Sequence, residues 1–430
     1  MVHTVQRLTN SLAVLLSLFA AVVYIYQRPS PEEQRLPVTI QQLDGTITTD
    51  VLVVVDESVE PILLTMGIDT GISASWLLHS TAQIHTSSYD TELRRHLLVS
   101  TSSTRRSTVN LNIPTKNNLN IQYADGTRVQ GFFTENIKWK FAAFNQQSST
   151  SFYSMIWGVA TIISEVVPPR PRPPEKQNGL EQEEQQVLSR FESGGVDGWL
   201  GFGRPKKDEQ EEKTNSYPPG HALIASDFST GSWSVSFRLH TRKHELVFRR
   251  YDPSTTTTDE VLASLLLESE SERVREDDPH WSIVVRNVVV NGCRAVDKEY
   301  NVLLDVGAGS IFAARDMIEP ECWKVQKELA SQWSDEESFS LEFTMGRLGR
   351  GGEGGEGGEG GEGSGGRRIV VEKLVEGVSY HRTLVPRRKG RERKKRATIV
   401  LGLPFFMRKL VTLTTVREKN KKKSYWVGVR

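Results

Sequence analysis

Cysteine is almost missing from this chain: Cys293 and Cys322 are the two in 430 residues. A multi-bridge disulfide scaffold is therefore excluded, and the pair leaves open one bridge or two buried thiols. Zinc-type spacing is missing as well. No C-x-x-C occurs, and His240 is not followed by the Glu of an H-E-x-x-H motif although His244 stands four residues on. Both histidines read as surface residues at a strand end, and neither a metal nor a cofactor is expected. An excess of one charge is missing: 54 Lys and Arg meet 53 Asp and Glu, for a formal net charge of +1. No global field favours nucleic acid or an acidic partner. Long helical periodicity is scarce, and residues 316–333 are the best helical candidate.

What is present points to a packed β protein. Apolar residues make up 37% of the chain and charged residues 25%. Part of that charge lies in low-complexity runs, so the folding portion is apolar enough for a substantial core. The length suits two to three average domains or one large bilobal unit. Short runs rich in β-branched and aromatic residues, bounded by Gly, Asp or Ser, predict strands near 36–40, 46–55, 61–68, 109–113, 132–141, 233–239, 245–248, 281–290, 302–305 and 398–402. An apolar run at 12–26, after Arg7 and before a Pro-rich polar stretch, reads as an uncleaved signal anchor or a cleaved signal peptide. Four segments read as insertions: 167–186, the charged run 206–216, the Gly-Gly-Glu repeat 351–366, and the basic run 387–396. The repeat cannot bury apolar surface. The basic run ends in a multibasic pattern at Arg396 that secretory processing proteases read, which would cut the chain in two; the plain alternative is an uncut solvated loop.

One repeat carries chemistry. Ile68-Asp69-Thr70-Gly71 is followed later by Trp199-Leu200-Gly201, and Leu304-Asp305-Val306-Gly307 by Val400-Leu401-Gly402. A duplicated lobe that contributes one carboxylate per copy explains this order. Two such carboxylates brought close cannot both ionise, so they share a proton. The ionised member can then act as base toward a water and the protonated member as acid toward a carbonyl. Aspartic proteases are the established case of two aspartates sharing one proton, and the mechanism is taken over from them.

The segment 69–76, DTGISASW, resembles the first active-site motif D-T-G-S-S-x-x-W of the pepsin-like aspartic proteases. Tyr123 in QYADGTRVQGFF resembles the tyrosine of that family's flap hairpin, with Asp125 and Gly126 at the tip and Trp76 placed to hold the hydroxyl. Trp157-Gly158-Val159-Ala160 is similar to the strand after the flap, and 197–203 to the D-G-I-L-G-L-G segment. Residues 228–252 resemble the stretch that opens the C-terminal lobe. Asp305-Val306-Gly307-Ala308-Gly309 occupies the place of the second D-T-G motif. Leu401-Gly402-Leu403-Pro404-Phe405 and Trp426-Val427-Gly428 resemble the closing strands. The resemblance covers nearly everything from Leu36 to the C-terminus.

It implies a mainly β, bilobal pepsin-like fold with a cleft between two pseudo-twofold-related lobes. The divisions are a signal segment and linker at 1–34, an N-terminal lobe at 35–205 and a C-terminal lobe at 206–430, joined between 203 and 228. The implied activity is aspartic endopeptidase: Asp69 and Asp305 catalytic, with Tyr123, Gly71, Gly307, Asp125 and Gly126 binding substrate. The substrate is a peptide or protein held extended, and the implied protein is a monomer of the secretory pathway, membrane-anchored or extracellular or vacuolar. No propeptide segment is evident, and the C-terminal lobe is lean. Departures from the family pattern cluster at the centre. Ile72 and Ala308 replace hydroxyl residues beside the two aspartates, Val306 replaces a threonine beneath them, Ala124 replaces a flap glycine, and Leu403 replaces an aspartate. The loss at Val306 is expected to remove one hydrogen-bond pair and leave Thr70 short of partners. Fewer donors to the carboxylates, with Ile72 adding desolvation, are expected to raise both pKa values and move any activity to less acidic pH. The alternative reading is a catalytically impaired pepsin-like protein that binds peptides or proteins.

Overall fold

The computed structural model describes residues 32–41, 46–55, 60–88, 97–101, 111, 119–123, 127–143, 152–167, 196–204, 231–251, 256–274, 280–290, 292–297, 299–309, 311, 322, 341–345, 368–371, 398–417 and 423–430. The apolar run at 12–26, the runs at 206–216, 351–366 and 387–396 with Arg396, and the flap-tip residues Ala124, Asp125 and Gly126 lie outside the described residues. So do nearly all of 167–186 and of the strand and helix expected at 109–113 and 316–333. Among the described residues, no helix is long and apolar enough to cross a membrane.

The chain is mainly β. Some strands alternate in burial with period two, while Ser232–Arg238 and Val411–Arg417 are buried on both faces. In Glu299–Leu304, Tyr300, Val302 and Leu304 are buried while Glu299, Asn301 and Leu303 are half-exposed. Leu341–Met345 alternates in the same way.

Three sheets share one continuous core. The first has nine strands, and six of them close on themselves. Ile47–Val54 pairs Ile62–Asp69, then Gly198–Gly201, Trp76–Ser88, Tyr153–Val167 and Arg128–Phe141 follow, and the last returns to Ile47–Val54. Closure removes the open edges of this barrel, and Trp139, Phe141, Met155 and Trp157 on its strands are buried in the core shared with the other sheets. The second sheet runs Arg368–Val371, Leu341–Met345, Ser282–Val290, Glu299–Leu304, Thr398–Leu401, with Cys293–Arg294 against Ser282–Val290. Cys293 is joined to Cys322 in a disulfide, which decides between the two alternatives left by the sequence.

The third sheet runs Glu32–Pro37, Glu245–Tyr251, Ser232–Arg238, Val411–Arg417, Lys423–Val429, Glu270–Arg273. Its outer strand Glu32–Pro37 comes from the start of the described chain and sets Leu36 opposite Leu246. The core cluster spans all three sheets, from Leu36 and Met66 through Trp233 and Trp281 to Phe405. A break in any one sheet therefore exposes apolar surface of the others.

One helix was not anticipated. Thr258–Glu268 starts with a capping box: the Thr257 hydroxyl accepts from Glu260 N at 3.3 Å, and the Glu260 carboxylate accepts from Thr257 N at 2.8 Å. The signal is in the sequence, a Thr followed three residues later by Glu and then Val261, Leu262 and Leu265. His240 is exposed and His244 half-buried in the turn between Ser232–Arg238 and Glu245–Tyr251.

Thr415 gives a test of this core. It is fully buried between Trp233 and Tyr425 in the third sheet, and its hydroxyl has no hydrogen-bond partner among the described residues. A buried hydroxyl without a partner costs free energy that a methyl does not. Thr415→Val is expected to raise unfolding stability by about 1 kcal/mol, measured by urea denaturation at unchanged m-value. A clear loss of stability would contradict this account of the site.

Candidate active site

Two strands deliver the two aspartates in the same manner. Ile62–Asp69 runs parallel to Gly198–Gly201, with Ile68 opposite Leu200 and Asp69 opposite Gly201. Glu299–Leu304 runs parallel to Thr398–Leu401, with Leu304 opposite Leu401, and Asp305 N donates to Leu401 O at 3.1 Å. Flanking residues are apolar because these strands are buried: Ile68, Leu200, Leu304 and Leu401 are each fully inaccessible. Each aspartate thus stands where an apolar strand gives way to a turn. Asp197 to Gly201 packs with the first sheet, and the Asp197 Oδ2 accepts from Thr65 N at 2.9 Å.

The turns repeat one another. Gly71 N donates to Asp69 Oδ1 at 2.6 Å and Gly307 N to Asp305 Oδ1 at 3.0 Å. The Ile72 and Ala308 N–H groups add a further donor to Asp69 and Asp305 respectively. Gly203 N donates to Ile72 O at 2.6 Å, and Leu403 N donates to Ala308 O at 2.7 Å.

Glycine is required at both turns by close approach. A Cβ on Gly71 would lie 2.6 Å from Asp305 Oδ2, and a Cβ on Gly307 would lie 2.7 Å from Asp69 Cγ. Each glycine thus makes room for the other turn's carboxyl group. The two carboxyls meet within hydrogen-bonding reach of each other.

Thr70 ties the turns together. Its hydroxyl donates to Leu304 O at 2.9 Å and accepts from Val306 N at 2.8 Å, and the residue is fully buried. This corrects the expectation that Val306 leaves Thr70 short of partners. Val306 brings no hydroxyl, but its backbone N–H serves, and both functions of the Thr70 hydroxyl are met.

Burial and mutual charge set the protonation of the pair. Asp69 is pushed well above the ordinary carboxylate range, first by burial and next by the Asp305 charge, against donors from Gly71 and Ile72. Asp305 is raised by burial, and the hydrogen bond from Asp69, the N–H groups of Gly307 and Ala308, and the charge of His280 oppose the rise. The two carboxyls therefore titrate as one pair that holds one proton between them. Burial is the first cause, ahead of the missing hydroxyls named from the sequence.

Tyr123 stands at one end of a hairpin, with its N–H donating to Thr127 O at 2.8 Å beyond the pair Gln122 and Arg128. Its hydroxyl accepts from Trp76 Nε1 at 2.9 Å, and it packs with Ile72 on the cluster formed by Ala74, Trp76 and Trp199. Asp69, Asp305, Gly71 and Gly307 are therefore brought together, and Tyr123 is fixed to the segment that follows Asp69.

Two further residues shape this centre and were not read from the sequence. The Ser75 hydroxyl, fully buried, accepts from Gly201 N at 3.0 Å and locks the strand beside Asp69. His280 Nδ1 lies 3.0 Å from Gly71 O. A serine in DTGISASW was visible; nothing in the sequence links His280 to Gly71, because 209 residues separate them. No group of His, Cys, Asp or Glu suited to hold a metal ion occurs among the described residues.

Thr70→Val removes the hydroxyl at constant shape and leaves Val306 N–H and Leu304 C=O unpaired. The expected loss of unfolding stability is roughly 2–4 kcal/mol, one to two buried groups' worth, read by denaturant titration. A loss below about 0.5 kcal/mol, the level of an ordinary surface change, would show that Thr70 does not tie the turns.

No protein-family model matches the chain, and no curated protein matches it.

Proposed function

We propose that the chain is an aspartic endopeptidase with a bilobal, pepsin-like fold, and that Asp69 and Asp305 activate a water for attack on a peptide carbonyl. The observation that carries this reading is the reciprocal contact of Gly71 with Asp305 and of Gly307 with Asp69, which holds two buried carboxyls on one shared proton. In this reading the closed barrel belongs to one lobe and the sheet containing Glu299–Leu304 to the other. The sheet that begins with Glu32–Pro37 joins them, and the cleft lies over the two turns.

The steps use protein groups, water and peptide. Ionised Asp305 takes a proton from the water as its oxygen attacks the peptide carbon, and protonated Asp69 gives its proton to the carbonyl oxygen. Collapse of the tetrahedral intermediate returns the hydroxyl proton to Asp69, breaks the C–N bond and passes the proton on Asp305 to the leaving nitrogen. The pair regains its single shared proton. The substrate lies extended, paired by backbone hydrogen bonds, with Tyr123 over it. Asp125 and Gly126 at the flap tip belong to the same proposal, as does a secretory location.

A second reading, a peptide- or protein-binding module of the same fold, is favoured by Ile72 and Ala308, which bring no hydroxyl to either carboxyl. Activity separates the two.

The pH dependence follows from the shifts. Base action needs Asp305 ionised, so activity falls on the acid side as Asp305 protonates. Acid action needs Asp69 protonated, so activity falls on the alkaline side as Asp69 ionises. Both groups are raised above 3.8, the ordinary Asp value, so both limbs of the profile lie above it. The same shift bears on folding. A raised carboxyl favours the fold below its unfolded pKa, and that contribution is lost as pH rises through the folded value. Cleavage of a denatured protein is expected on the acid side of neutrality, with a bell whose acid limb lies above 3.8. Asp69→Asn and Asp305→Asn are each expected to lower kcat by about a thousandfold. Cleavage retained in either variant, or none by the wild type at any pH, would overturn the proposal.

A further inference from the structure

His280 takes no part in the steps above, yet it contacts the turn that carries Asp69. It is half-buried, and its Nδ1 lies 3.0 Å from the Gly71 carbonyl oxygen. A carbonyl only accepts, so Nδ1 carries the proton in this contact. That carbonyl belongs to the Gly71–Ile72 peptide, and the N–H of the same peptide is the Ile72 donor to Asp69. Donation into one end of a peptide polarises the other end, so the ring strengthens the bond that Ile72 makes to Asp69.

The backbone of His280 is braced from the opposite side. Its carbonyl accepts from Ser282 N at 2.9 Å and from Arg204 Nη1 at 3.5 Å. The neighbouring Trp281 Nε1 donates to Phe202 O at 2.6 Å, and Phe202 N donates to Asp69 O at 2.7 Å. Arg204 is buried and stacks 4.1 Å above the Tyr425 ring. Arg204 and Tyr425 thus stand on the backbone side of His280, and Asp69 is reached through the peptide on the ring side.

We propose that His280 is a positioning residue for the carboxyl pair: its ring clamps the Gly71–Ile72 peptide that donates to Asp69. The inference deepens the peptidase reading and rests on it for its kinetic arm alone. Removing the donor loosens the turn that carries Asp69.

Two variants separate a donor's role from packing. In His280→Asn the side-chain amide nitrogen takes the place of Nδ1, so the donor stays. In His280→Phe it goes. Carboxyl carbon NMR titration of the full chain with labelled aspartate reads the pair directly, and pH–rate profiles read the consequence. In His280→Phe the Asp69 midpoint and the alkaline limb are expected to move upward by about half a pH unit, because the Ile72 donor weakens, and the plateau kcat to fall about tenfold or more. His280→Asn is expected to keep the midpoint in place and the plateau kcat within about threefold. A purely packing role would leave the midpoint in place in both variants. An unmoved midpoint in His280→Phe overturns the proposal, and so does a plateau kcat in that variant equal to the wild type. His280→Ala carries the same test if His280→Phe fails to fold. A wild-type chain that cleaves nothing sinks the peptidase reading, and the NMR titration still decides the role of His280.

Discussion

Two buried carboxyl groups within hydrogen-bonding reach constrain everything around them. At about 4 Å and an effective dielectric near 20, two full negative charges repel by about 4 kcal/mol. That is about three pH units, so the pair keeps one proton across a broad range. The fold must therefore hold two acids together against their own repulsion. It does so with the donors of the Asp69 and Asp305 turns, with glycines at 71 and 307 that leave each carboxyl room, and with the Thr70 hydroxyl bridging Leu304 and Val306. Behind the turns stand two parallel strand pairs and a core that runs unbroken through three sheets.

Much of this was legible in the sequence. The apolar-Asp-x-Gly segments and the later apolar-apolar-Gly strands give both aspartates, and the structure sets Asp69 beside Gly201 and Asp305 after Leu304 in matching registers. The strand runs were legible because β-branched and aromatic residues gather between turn residues. What escaped reading was long-range or backbone in origin. Glu32–Pro37 pairs with Glu245–Tyr251 by a register that no local pattern encodes. His280 meets Gly71 across 209 residues. Whether Cys293 and Cys322 are bridged depends on distance, which spacing does not give. Thr70 is the instructive error. A sequence displays side chains, so Val306 looked like a lost partner, whereas a backbone N–H fills the place. The helix Thr258–Glu268 is different, since its capping box was there to be read.

The same substitution of backbone for side chain explains how the centre accommodates Ile72 and Ala308. Both bring N–H groups rather than hydroxyls to the carboxyls. Ile72 also packs, with Tyr123 and Phe133, on the cluster containing Trp76 and Trp199. Burial is the first cause of the raised Asp69. In the proposed peptidase such burial moves activity toward less acidic pH, and the site depends on what steadies each turn, as Ser75, Phe202 and Thr70 do.

The central claim is that Asp69 and Asp305 form one site with one shared proton. Calorimetric binding of a statine-type peptide, whose hydroxyl mimics the tetrahedral intermediate, tests it most directly, because that hydroxyl is recognised only by both carboxyls together. The account expects one molecule bound per chain, with affinity falling about a hundredfold or more in both Asp69→Asn and Asp305→Asn. Binding unchanged by either substitution, or none to the wild-type chain, would contradict it.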